Sequence, residues 1–246
     1  MEEKGRAYGG VEVGGQKEGT APSSLQKGMD RVRRRLLLHS CCGPCSTAVI
    51  ERLVADYDLC VFYYNPCITD EEEYRKRREE QIRFIQAFNR DQQNIVHVSY
   101  LDGDYDPNAY LALVKGWEAE PEGGRRCEIC FRMRLTETAR MAKSRHFPLF
   151  TTTLSVSPHK DFACLARVGK EVASRYGVEF LAIDFKKKAG FQRSVQLARA
   201  YGLYRQNYCG CRFSKRDGPD LSRQEQADSF SVGIDGWRNG QEGPTE

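Results

Sequence analysis

Short apolar runs alternate along this chain with longer amphipathic stretches, and polar sequence flanks both ends. Leu36–His39 is a compact apolar run, the pattern of a buried strand. Ser46–Ala55 places apolar residues at helical spacing. Leu59–Tyr64 reads as a second strand, stopped by Asn65-Pro66. Thr69–Asn89 reads as a long charged helix with Ile82, Phe84, Ile85 and Phe88 on its apolar face. Thr69 followed by Glu72 predicts a capping box at its start. Asn94–Tyr100 predicts a third strand, and Pro107 opens a helix after the loop LDGDYDP. Glu128–Arg145 predicts another helix, and residues 148–154 (PLFTTTL) a fourth strand. A helix is expected from Ser155 to Tyr176, a fifth strand over 178–184 (VEFLAID) and a last helix over Phe191–Tyr201.

Strands that alternate with helices imply a three-layer α/β fold, a parallel sheet with helices on both faces. Ligands of such sheets sit beyond the carboxyl ends of the strands. The segment Cys41-Cys42-Gly43-Pro44-Cys45 falls at that position, after the first strand. Residues 1–31 lack an apolar period and read as a disordered extension, 32–214 as the α/β domain, and 215–246 as a polar tail.

Composition narrows the class. The chain has 246 residues, 40% hydrophobic and 29% charged, as an ordinary globular protein does. No apolar run approaches the roughly 20 residues of a membrane helix. The first residues lack a secretory apolar core, so a cytoplasmic location is expected. The net charge of +4 permits a nucleic-acid partner without arguing for one. Ten cysteines are many for a reducing compartment, where clustered thiols bind metal or carry out redox chemistry more often than they form frameworks.

Those cysteines fall into three close groups: Cys41, Cys42 and Cys45; Cys127 and Cys130; Cys209 and Cys211. Cys60 and Cys164 read as structural, and Cys67 lies at a loop tip. CGPC is a thiol–disulfide oxidoreductase spacing, and a helix N-terminus would acidify Cys42. That reading leaves a third adjacent thiol and two further pairs unused. Cys127-x-x-Cys130 has chelate spacing, and with Cys41 and Cys42 it makes four thiolates, suited to structural zinc or to an iron–sulfur cluster. Adjacent cysteines favour the larger cluster, because neighbours can reach different iron corners. Cys209-x-Cys211 closes a strained ring if oxidised, as an electron relay would; two more metal ligands, or two thiols in a glycine turn, are the other readings.

Five segments taken in order, LLLHSCCGPCS, FYYNPCI…EEYRKR, EPEGGRRCEICFRMRL, FTTTLSVSPHKD and GLYRQNYCGCRFS, together resemble the cobalamin-independent epoxyqueuosine reductases, the QueH family. The resemblance spans about residues 35–214. It implies a Rossmann-like fold of the adenine-nucleotide α-hydrolase (PP-loop) type. It also implies reduction of epoxyqueuosine to queuosine at the wobble position of tRNA, the last step of queuosine formation. By the family pattern Cys41, Cys42, Cys127 and Cys130 match the ligands of a 4Fe–4S cluster, and Cys209 and Cys211 match a redox-active disulfide. Cys45 stands where some members carry an aspartate associated with one additional mononuclear iron, so a thiolate replaces the carboxylate at that second metal position.

Loss of an epoxide oxygen needs two electrons and an acid. His159 is the candidate proton donor, and His39 reads as a core histidine. Lys186–Lys188, Arg193, Arg205, Arg125–Arg126 and Arg31–Arg35 are candidate phosphate contacts, and Tyr64, Tyr204 and Tyr208 candidate stacking platforms. Glu71–Arg78 reads as a solvated mixed-charge helix face. The expected partners are tRNA carrying epoxyqueuosine and an electron donor that the sequence does not identify. Two other functions remain: a dithiol–disulfide oxidoreductase built on Cys42 and Cys45, and a zinc-stabilised PP-loop-like nucleotide-binding protein. Cysteines fill the place of a phosphate-binding glycine loop, which disfavours the latter.

Overall fold

A computed structural model describes residues 33–92 and 96–215. The expected extension over 1–31, most of the tail over 215–246 and Asn94–Ile95 lie outside the described residues. The elements are β1 (Arg34–Ser40), α1 (Gly43–Leu53), β2 (Tyr57–Tyr63), α2 (Glu71–Asp91), β3 (Ser99–Asp102), α3 (Pro107–Leu113), α4 (Arg125–Ser144), β4 (Leu149–Thr152), α5 (Phe162–Tyr176), β5 (Glu179–Phe180) and α6 (Gly190–Ala200). The five strands form one parallel sheet in the order β3-β2-β1-β4-β5.

The central strand β1 pairs Leu37 with Cys60 on one side and with Phe150 on the other. Its side chains alternate between the two faces. Leu36 and Leu38 join the core under α1, α2 and α6, with Val49, Ile50, Phe84 and Phe88. Leu37 joins the core under α4 and α5, with Phe131, Leu135, Val168 and Val172. All three leucines are fully buried, so truncating one to alanine would cost about 2–5 kcal/mol. Helices on both faces make the three layers that the alternating pattern predicts.

The chain passes from β1 to β2 on one side and later returns to β4 on the other. The loops after β1 and β4 therefore diverge and open a crevice at the carboxyl edge, where open α/β sheets bind ligands.

Several boundaries differ from expectation, each for a local reason. The third strand begins at Ser99, because the side-chain amide of Asn89 occupies both backbone groups of Val98, at 2.9 Å each. The fifth strand ends at Phe180, and the carbonyls of Leu181 and Ile183 accept instead from the hydroxyls of Thr151 and Ser155. Residues Thr153–Val156 form a buried 3₁₀ turn, and α5 starts only at Phe162, capped by Asp161 accepting from the Ala163 N–H. Asp70, not Thr69, caps α2 by accepting from Glu73 N–H at 3.1 Å.

Candidate metal centre

The first wall of the crevice is the β1–α1 turn. The sulfurs of Cys41, Cys42 and Cys45 all lie within 4.8 Å of one another. The wall is tied down from three sides. The Cys41 N–H donates to Thr153 Oγ1 at 3.2 Å, Asn65 donates to the Ser40 carbonyl at 2.9 Å, and Gln206 Nε2 donates to Cys42 Sγ at 2.9 Å. Hydrogen bonds from the thiols of Cys42 and Cys45 hold Cys41 well below the usual thiol range, although burial opposes this. Cys42, which donates to Cys41, is pushed up to about 12. The expectation that the α1 N-terminus acidifies Cys42 is thus reversed. Cys42 does sit at the cap of α1, but the negative charge settles on Cys41, and a second charge beside it is unfavourable. That weighs against an oxidoreductase that attacks through Cys42.

The second wall is the first part of α4. Cys127 Sγ accepts from the Gly123 N–H at 3.2 Å, and Cys130 is buried. Cys67, read from the sequence as a loop-tip residue, is instead buried and faces Cys130. The Cys130 thiol hydrogen-bonds to it and pulls it down to about 6 against burial, and Arg134 adds to the shift. Among the described residues, only the first trio forms a compact group of possible ligands. Cys127 and Cys130 do not join it; they line an adjoining small void together with Cys209 and Cys211.

Two cations link the walls. Arg134, one turn beyond Cys130, is 1% exposed and lines both the small void and the main cavity. Its Nε donates to the Cys130 carbonyl at 3.4 Å, and its Nη2 has no partner in the protein. Burial opposes its charge, but Cys130, Cys67, Cys209 and Cys41 outweigh burial and keep the guanidinium charged. Lys160 is 6% exposed, and its Nζ lies 2.9 Å from Glu122 Oε1 and 3.2 Å from Cys209 Sγ. A sequence reading misses both, since a charged residue is ordinarily assigned to the surface. The available signal was spacing. Cys130, Phe131, Arg134, Leu135, Thr138, Ala139 and Ala142 form the buried stripe of α4, and Arg134 falls on it.

The loop that carries Cys209 and Cys211 is seated on α2. Arg77 donates through Nε to Glu73 at 2.6 Å and through its other nitrogens to the carbonyls of Cys209 and Tyr208, at 3.1 and 3.2 Å. It is 2% exposed, so the Glu71–Arg78 run is not simply a solvated face. Thr69 pins the loop rather than capping α2: its N–H donates to the Gly210 carbonyl, and its Oγ1 accepts from the Arg212 N–H. Gly210 has φ +104°, and a Cβ there would lie 2.7 Å from Ile68 Cγ1.

The main cavity holds about 240 Å³, and Cys41, Cys45, Cys209, Arg134, Arg205 and Tyr208 are among the residues that line it. His159 is exposed at its rim. His39 is a core histidine as expected, held between Thr152 Oγ1 and the Tyr64 carbonyl. Burial, and then Arg134, lowers it to about 4. The other sequence candidates separate. Arg33–Arg35 lie at the amino end of β1, away from the crevice. Arg126 is buried against the carbonyls of Glu118 and Glu120, and Arg193 pairs with Glu51. Tyr204 donates to Glu73, whereas Tyr208 lines the cavity. Lys186 turns inward to the Lys160 carbonyl at 2.8 Å, and Lys187 and Lys188 are exposed. No helix among the described residues is long and apolar enough to cross a membrane.

Soft sulfur donors around a buried, incompletely partnered guanidinium, at the switch point of a parallel sheet, define an α/β protein equipped for thiolate-ligated metal or redox chemistry. Comparison with known proteins narrows the class. The profile of the epoxyqueuosine reductase QueH family matches residues 36–217. The chain is 41% identical over 193 residues to the epoxyqueuosine reductase QueH of Streptococcus pyogenes serotype M1, covering 78% of this chain and 75% of that one. It is 36% identical over 182 residues to that of Thermotoga maritima, covering 73% and 89%. The chain belongs to the epoxyqueuosine reductase QueH family, and it is an oxidoreductase.

Proposed function

We propose that the protein reduces epoxyqueuosine to queuosine at the wobble position of tRNA, using a 4Fe–4S cluster held by Cys41, Cys42, Cys127 and Cys130. The observation that carries this reading is the unpartnered Nη2 of buried Arg134 between two thiol-bearing walls. A buried donor without an acceptor is unfavourable, and four thiolates around a cluster bring the excess negative charge that would satisfy it. The donor set fits too: buried thiolates select iron–sulfur clusters or zinc over hard cations. When bound, such a cluster supplies low-potential electrons that side chains lack. Cys45, whose sulfur lies with those of Cys41 and Cys42, is the remaining donor for one additional iron.

The chain's own residues perform the rest. The cavity, of about 240 Å³, suits one base extruded from the anticodon stack. Arg205, Asn207 and Tyr208 line the cavity and would hold it. His159, at the rim, would give a proton to the departing epoxide oxygen. Lys187 and Lys188, both exposed, would contact phosphates and add affinity without reading sequence. Electrons would come from an external donor, in a cytoplasmic setting.

The test is anaerobic purification followed by iron and sulfide analysis, and by conversion of epoxyqueuosine in tRNA read by nucleoside mass spectrometry. About four irons and four sulfides per chain are expected. Cys127→Ser and Cys130→Ser should lose the iron and the conversion together. A loaded protein that converts nothing would sink the assignment, and a colourless zinc protein would favour the nucleotide-binding alternative.

A further inference from the structure

The two sulfurs of the Cys209-x-Cys211 turn have different neighbours. Cys209 is half-buried, lines the main cavity and has the Lys160 ammonium 3.2 Å from its sulfur. Cys211 is buried, belongs to the apolar cluster of Tyr63, Ile68 and Tyr74, and has the Tyr110 hydroxyl 3.1 Å from its sulfur. Tyr110 is itself 1% exposed. Each sulfur thus has its own donor, a cation on the open side and a neutral hydroxyl on the closed side.

We propose that this asymmetry fixes the order of thiol–disulfide exchange: an external dithiol attacks Cys209, and Lys160 and Tyr110 are catalytic residues that stabilise Cys209 and Cys211 in turn as each becomes the leaving sulfur. The inference rests on reading Cys209 and Cys211 as a redox pair. In the first step a thiolate of the external dithiol bonds to Cys209 Sγ and the Cys209–Cys211 bond breaks. Its electron pair passes to Cys211 Sγ, where Tyr110 donates a hydrogen bond. In the second step the other thiolate of the dithiol attacks its own sulfur in the mixed disulfide. The bond to Cys209 breaks, and the electron pair passes to Cys209 Sγ beside Lys160. The external dithiol is oxidised to a disulfide, and the pair gains two electrons and the two protons of the donor's thiols. Exchange rate depends on which sulfur is accessible and on how well the leaving sulfur bears charge, and the geometry answers both.

Lys160 is equipped for this. A buried ammonium is costly unless paired. Burial opposes its charge, but Cys209 and Glu122 outweigh burial and hold it charged. The Lys186 ammonium at its carbonyl helps fix its backbone.

The experiment uses the full chain. Diamide closes the pair, limiting glutathione opens it, acid quenches exchange, and mass spectrometry locates the glutathione adduct. The adduct should sit on Cys209, in about tenfold excess over Cys211. Release of Cys209 from that adduct by dithiothreitol should slow about tenfold in Lys160→Met, consistent with loss of one charge-assisted hydrogen bond. Lys160→Arg should recover most of the rate. Tyr110→Phe should slow the opening step and leave the release step unchanged. An adduct mainly on Cys211, or an unchanged release rate in Lys160→Met, would overturn the assignment while leaving the redox pair in place. A pair that diamide never closes would remove the redox reading and this assignment with it. The adduct position in the unsubstituted protein decides the first half without any variant.

Discussion

Arginines stand at both ends of this sheet, in different surroundings. At the amino end Arg34 pairs with Glu179 at 3.0 Å, and Arg35 lies 3.9 Å from Asp58, with about half of each side chain in water. Pairs of that kind contribute roughly 0–1 kcal/mol. At the carboxyl end Arg77 and Arg134 are withdrawn from water almost completely. Such burial costs several kcal/mol per ion before any partner is counted. The two buried arginines also differ from each other. Protein acceptors engage all three nitrogens of Arg77, whereas Arg134 keeps one nitrogen unpartnered. The first therefore behaves as a lock within the fold, whereas the second keeps one donor uncommitted beside the cysteines.

Substitutions can break this comparison. The largest effect is expected at Arg77→Met, which strands the carboxylate of Glu73 and the carbonyls of Tyr208 and Cys209. Chemical unfolding should show a loss of about 3–5 kcal/mol. Amide exchange should rise over residues 204–211, the loop that Arg77 holds. A loss below about 1 kcal/mol would place Arg77 with the surface pairs. Next comes Arg134→Met, for which the two readouts should diverge. Bound iron should fall several-fold, while the stability of the metal-free protein should change by no more than about 2 kcal/mol, because the cysteines facing Arg134 can take up protons when its charge is removed and its Nη2 leaves no protein acceptor stranded. A metal-free variant weakened as much as Arg77→Met would make Arg134 a second lock.

A smaller effect separates the loop's anchors by pH. Glu80 accepts from the Tyr204 N–H at 2.7 Å and from Arg83. Burial opposes its charge, but these partners outweigh burial and hold its carboxyl below the usual range. Its contribution is therefore complete above the ordinary carboxylate value and is lost as pH falls through the lowered one. Glu80→Gln should be about 1 kcal/mol less stable at neutral pH, and the gap should close in acid. A gap independent of pH would mean that the hydrogen bond, not the charge, anchors Tyr204. The smallest effect is expected at Arg34→Ala, about 0.5 kcal/mol or less by thermal unfolding. A larger loss there would erase the contrast between the two ends.

The same contrast governs what could be read from the sequence. The buried strands β1, β2 and β4 and the helices were legible, because apolar periodicity records burial directly. The third strand was misplaced because Val96 and Val98 look like strand residues, while the competing amide of Asn89 comes from another element. The fifth was drawn too long for a similar reason: hydroxyls of Thr151 and Ser155 take over ladder positions. The cysteine groups were legible as groups, but their neighbours were not. Cys67 looked peripheral, yet it faces Cys130, and Thr69 looked like a cap, yet it serves the Cys209–Cys211 loop. Arg77, Gln81 and Arg134 lie on the apolar stripes of their helices. A charged or amide residue on such a stripe is readable evidence of a buried site. Lys160 carries no such mark, since it lies in a turn between the 3₁₀ segment and α5.

Gly210 gives the site a genetic boundary. Every missense change one nucleotide away from a glycine codon introduces a side chain with a Cβ. At this position that atom meets Ile68 at 2.7 Å and the Arg77 guanidinium at 3.0 Å, on a backbone with φ +104°. The chain can therefore drift at a surface position such as Arg34 one base at a time, but between Cys209 and Cys211 no such missense step avoids the clash. In a population of variants, codon 210 should stand out as a position held to synonymous change, set there by two atoms of α2 and its preceding loop rather than by any chemistry of its own.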